Sequence, residues 1–118
     1  MILDEIQTAL ETVDSKVFYG MVDETQVTKE WNYTVFLRNR MSIGNQKQEF
    51  SDRYTVAIVR ENYIPIDLPE KVIDAMCDIA GMRISSTDCQ YSYVQKPNTN
   101  TVVELLTMEF VRARKRGA

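Results

Sequence analysis

With 118 residues the chain fits one domain, and a domain of that size buries roughly 65% of the surface its unfolded chain exposes. Hydrophobic residues at 44% and charged residues at 26% are ordinary for a soluble globular domain, and four glycines with three prolines exclude collagen-like and low-complexity readings. The net charge of −3 is uneven: residues 1–30 hold seven acids and two bases, whereas residues 109–118 hold Glu109 against Arg112, Arg114, Lys115 and Arg116. Leu3, Ile6, Leu10 and Val13 recur at helical spacing, with Asp4, Glu5 and Glu11 off the stripe, so a short amphipathic helix opens the chain. The β-forming run from Val17 to Val22 predicts a strand, with Gly20 as a bulge or close-approach point, and the polar stretch from Asp23 to Glu30 predicts a loop.

Trp31, Tyr33, Val35 and Leu37 alternate with more polar neighbours, which predicts a long strand to about Met41. Ser42 to Glu49 is polar and contains Gly44, so it reads as a connection longer than a tight hairpin needs. Tyr54, Val56 and Ile58 mark the next strand. Pro65 and Pro69 hold Ile64 to Leu68 extended at the entry to a second helix, either with Pro69 in the first turn or with Asp67 and Glu70 as a capping box. That helix carries Val72, Ile73, Met76, Ile79 and Ala80 on one stripe and stops at Gly81. A hairpin ends the chain: Cys89 to Lys96, a turn at Pro97 to Asn100, and a long strand from Thr101 to about Arg114. The expectation is therefore α+β, a mainly antiparallel sheet flanked by helices, in the order α-β-β-β-α-β-β within one domain, residues 1–118. In the last strand Val102, Leu106, Met108 and Phe110 share one face and Val103, Leu105 and Val111 the other. Both faces are apolar, so cover on both sides is expected, from the strand's own domain or from a neighbour.

Candidate chemistry is sparse. The sequence has no histidine, which removes the side chain most used as a base near neutral pH and the commonest metal ligand. Two cysteines, Cys77 and Cys89, cannot make a four-thiolate site; they read as free thiols packed as small buried hydrophobes. The glycines are isolated, so no phosphate-binding loop is present. Asp74 and Asp78 are a carboxylate pair at helical spacing, but opposite the apolar stripe they read as a solvated face. The expectation is a protein that is not an enzyme and needs neither metal nor cofactor.

The first 84 residues follow the element order of double-stranded-RNA-binding domains. Such domains need lysines at the start of the second helix, and Asp67-Leu68-Pro69-Glu70-Lys71 is net acidic there. The basic C-terminal end has three readings: a solvated tail, a nucleic-acid grip or a protein interface.

Taken together, the N-terminal helix, Val17-Phe18-Tyr19-Gly20, Trp31-Asn32-Tyr33-Thr34-Val35-Phe36, Tyr54-Thr55-Val56-Ala57-Ile58-Val59, Ile64-Pro65, Tyr91-Ser92-Tyr93-Val94 and the basic last strand resemble a known pattern. It is that of the tail terminators (tail-completion or minor head-tail joining proteins) of long-tailed phages of Gram-positive bacteria. The resemblance covers nearly the whole chain through element order and aromatic placement. It implies a structural ring, typically hexameric, that caps the tail tube, stops its polymerisation and joins it to the head or neck.

The partners implied are further copies of the chain, the tail-tube protein and neck or connector proteins. DNA passes only as cargo and no membrane is involved. The location implied is the host cytoplasm during assembly and the virion thereafter; the acidic start Met1-Ile2-Leu3-Asp4-Glu5 does not read as a signal peptide. Another neck or tail component of the same virion and a small nucleic-acid-binding domain are the alternatives. The assembly interface is expected in three places. They are Ile43, Gly44, Asn45 and Lys47 in the polar connection, Val103, Leu105 and Val111 on the last strand, and the basic end at Arg112, Arg114, Lys115 and Arg116.

Overall fold

The structure, a computed structural model, describes residues 1–21, 30–44 and 49–115. Its elements are α1 (Ile2–Glu11), β1 (Val17–Tyr19), β2 (Tyr33–Ile43), β3 (Glu49–Glu61), α2 (Leu68–Cys77), β4 (Met82–Ile84), β5 (Gln90–Gln95) and β6 (Val102–Lys115). They form an α+β fold with a six-stranded, mostly antiparallel sheet and two helices. The strand order is β1-β2-β3-β6-β4, with β5 also on β6. β6 is thus the second spine of the sheet: β3 runs along one side, while β5 (against 102–107) and β4 (against 110–112) share the other.

Two features depart from the expected order. β4 is an additional strand, three residues long, and β1 runs parallel to β2. β1 is also shorter than expected. It stops at Gly20, whose φ of +78° is a conformation that a residue with a Cβ rarely adopts. The expected continuation at Val22 and most of the loop after it lie outside the described residues, as do Asn45, Lys47 and Arg116.

Both helices pack on one face of the sheet, not on two. Ile6 and Leu10 of α1 and Val72 and Met76 of α2 are fully buried with Phe36, Val56, Ile58, Met108 and Phe110 from the strands. Each such side chain contributes about 1.5–3 kcal/mol through burial. α2 begins with Pro69 in its first turn; Asp67 caps no backbone amide and instead pairs with Lys71 at 3.0 Å.

The opposite face carries Val59, Val103 and Val111, all buried. In register, Val103 lies between Glu61 and Val94, and Val111 between Arg53 and Arg83. Long side chains therefore line this face around the valines.

The molecule is elongated, with extents of 53, 28 and 23 Å and a radius of gyration of 15.4 Å. A compact domain of this length has a radius of about 13.5 Å. The excess comes from an arm: β2, β3 and β6 run on together past α1, with ten residue pairs matched between β2 and β3 and thirteen between β3 and β6.

Candidate assembly surface

The arm is built where the polar connection was expected. β2 continues to Ile43 and β3 starts at Glu49, because β6 supplies a ladder partner for β3 along its full length. A register shift between Arg38 and Arg40 marks a bulge at Asn39. The bulge turns Met41 and Ile43 onto the helix-bearing side, in register with Asp52 and Phe50. Gly44 closes the hairpin: its N–H donates to the Glu49 carbonyl at 2.7 Å, and a Cβ there would meet that oxygen at 3.1 Å.

This register brings together two features that are far apart in the chain. Ile43 pairs with Phe50, and Phe50 with Arg114. Ile43, Gly44, Phe50, Arg114 and Lys115 line one hollow of about 520 Å³ at the arm tip. Arg114 is held in place there. Its guanidinium lies 4.8 Å from the centre of the Phe50 ring, its Nε donates to the Asp52 carboxylate, and a terminal NH₂ donates to Met41 Sδ at 3.4 Å. The basic end is thus a paired strand as far as Lys115, not a loose tail.

A second cavity, about 640 Å³, opens between α1 and the arm, with Leu3 on one wall and Arg38, Arg112, Arg114 and Tyr54 on the other. Arg112 donates from Nε to the Ala80 carbonyl at 3.0 Å, which fixes it beneath the end of α2. Arg38 donates to the Tyr19 hydroxyl at 3.1 Å.

On the far side of the sheet, Glu109 ties the root of the arm. It accepts from Arg53 at 2.9 Å, from Asn39 at 3.1 Å and from the Ser85 hydroxyl at 3.1 Å. Burial alone would raise its carboxyl pKa, but the Arg53 and Ser85 hydrogen bonds outweigh it and the net direction is down.

The expected interface residues divide accordingly. Ile43, Gly44, Arg114 and Lys115 converge on the tip, and Arg112 lies one register step further in. Val103 and Val111 are 0% and 2% exposed and Leu105 is half-buried, so the last strand offers no apolar outer row to a neighbour. The opposite face is no substitute, since Leu106 and Phe110 belong to the core. Met41 and Phe50 were not anticipated. Asp52, between Phe50 and Tyr54, breaks the apolar alternation that would have extended the strand pattern back into the polar stretch.

Cys77 is exposed at the end of α2 and Cys89 is half-buried, so only the second resembles a packed hydrophobe; burial pushes its thiol pKa up. Asp74 and Asp78 are both exposed, as a solvated face requires. Among the described residues, no three His, Cys, Asp or Glu side chains cluster as a metal site would need, and no helix is long and apolar enough to cross a membrane.

Compared with known protein families and with curated proteins, the chain matches none.

Proposed function

We propose that this protein is a virion structural component: a ring-forming tail terminator that caps a phage tail tube, stops its growth and joins it to the head or neck. The observation that carries the reading is the arm. Its tip combines exposed apolar side chains, Met41 at 52% and Ile43 at 60%, with charges that balance: Lys115 stands opposite Glu49 and Arg114 pairs with Asp52. Such a tip suits a contact surface rather than a catalytic pocket. The sequence resemblance supports the same class and adds the ring and the tail end.

The charge pattern is compatible with a ring around passing DNA. α1 exposes Asp4, Glu5 and Glu11, and α2 with its flanks exposes Asp67, Glu70, Asp74 and Asp78 against Lys71 alone. A surface of that sign does not hold phosphates, so DNA would pass as cargo. The location that follows is the host cytoplasm during assembly and the tail or neck of the finished virion.

The test is an infection in which this protein is not made. Tubes in that lysate should be abnormally long or should fail to join capsids. Tails of normal length joined to capsids would remove the terminator reading. Tubes of normal length that stay unjoined would transfer the protein to a neighbouring neck position in the same virion.

A further inference from the structure

The cavity of about 640 Å³ between α1 and the arm gathers polar groups that the fold leaves without partners. By register, Arg38, Tyr54, Asp52, Arg112 and Arg114 share the helix-bearing face of the sheet. Arg114 is engaged by Asp52. Arg40 and Arg53 also border the cavity, but both reach Glu109 on the far side of the sheet. Arg38 and Arg112 differ from these. Each is held through its Nε by a neutral oxygen, Arg38 by the Tyr19 hydroxyl at 3.1 Å and Arg112 by the Ala80 carbonyl at 3.0 Å. Among the described residues neither forms an ion pair, and no hydrogen bond occupies their terminal NH₂ groups. A guanidinium fixed at Nε with its outer nitrogens unused is set to receive an anion.

Tyr54 points the same way. It is only 2% exposed, yet among the described residues its hydroxyl makes no hydrogen bond. A buried hydroxyl without a partner is costly, so such a group normally has one. Burial is the main cause that raises its pKa; Asp52 adds to the rise, while Arg112, Arg38 and Arg114 oppose it. All four of these charged residues line the cavity, so the phenol stands among them.

We propose that this cavity is a binding site for the carboxylate of an acidic, partly apolar peptide segment, with the terminal nitrogens of Arg38 and Arg112 and the Tyr54 hydroxyl as its donors.

A carboxylate fits the donor set better than a phosphate does. Asp52 and Glu5 lie on the same walls and repel a dianion more than a single negative charge. The apolar surroundings select a peptide over a free acid. Leu3 forms one wall, and Met41 on the other begins an exposed apolar row that Ile43 continues out along the arm on the same face. The two are two residues apart, the side-chain repeat of an extended chain. A small free acid fills the cavity but cannot use that row.

The probe is an acetylated, amidated pentapeptide, Asp-Ser-Leu-Ser-Leu, titrated into the full-length protein and followed by NMR. The Leu3 methyl and Tyr54 ring signals should shift saturably. The analogue with Asn in place of Asp should bind about tenfold more weakly, as should Tyr54→Phe and Arg38→Gln with the original peptide. Tyr54→Phe should melt at the wild-type temperature, since its hydroxyl has no partner to lose; Arg38→Gln, at an exposed position, guards against misfolding.

No saturable shift, equal binding of the Asn analogue, or variants that bind like wild type would each overturn the site. A lower melting temperature for Tyr54→Phe with unchanged binding would assign the hydroxyl a structural role and overturn it too. Isovalerate binding as tightly as the pentapeptide would overturn the peptide as occupant, and inorganic phosphate binding more tightly would overturn the carboxylate.

Discussion

Asp14 is 7% exposed and sits just past α1, where it organises one end of the sheet. Its Oδ2 accepts from the buried Thr34 hydroxyl at 2.6 Å and from Arg60 at 2.9 Å, while a second Arg60 nitrogen donates to the Tyr33 and Val59 carbonyls. Removing one partner of such a cluster leaves the other buried and uncompensated, which costs more than the cluster contributes when intact. Asp14→Ala should therefore lower the unfolding free energy by about 3 kcal/mol, read as a reduced urea midpoint at unchanged slope.

Glu61 makes a different contribution at the same end. It accepts from Lys96 Nζ at 3.0 Å and from the Trp31 amide at 3.1 Å, and the Lys96 hydrogen bond is the main reason its pKa is lowered. A carboxyl held below its unfolded value stabilises the fold above the unfolded pKa, about 4.3. That stability is lost as pH falls through the folded value. Thermal melts of wild type and Glu61→Gln should differ most near neutral pH and converge below about pH 4. A gap that stays constant down to acid pH would count against the pairing.

At the scale of elements, the arm joins two readings that began as separate. The connection from Ser42 to Glu49 and the basic end are distant in sequence, and only the ladder through β3 makes Ile43 a neighbour of Arg114. Helix positions were legible, because Leu3, Ile6 and Leu10 state a 3.6-residue period without help from the rest of the chain. β4 was not: Met82–Ile84 is too short to show a period and exists because β6 offers Phe110 to Arg112 as partners.

The extension of β2 and β3 was hidden for a related reason. Arm residues meet no helix, so the burial that makes a strand look alternating is weak there. Of the two sources of cover expected for Val103 and Val111, the chain itself supplies one, through the long neighbours that flank them, Glu61, Arg53 and Arg83. The same lack of helix cover predicts uneven stability. Amides of β2 from Arg40 to Ile43 should exchange hydrogen much faster than those of Val56 to Ile58 in the free subunit, and equal protection would contradict an uncovered arm.

Over the whole molecule, an arm with an apolar tip extends from one end of a 53 Å body whose helix layer exposes mainly acids. The proposed function makes such a subunit one unit of a closed ring. The proposed function requires that ring to recognise the open end of a tube. The most direct measurement is electron microscopy of purified protein mixed with tail tubes, scoring both ends of each tube. The account predicts a ring of added density at one end only and no further tube growth when fresh tube protein is supplied. Tubes with both ends bare that keep elongating in the presence of the protein would contradict it.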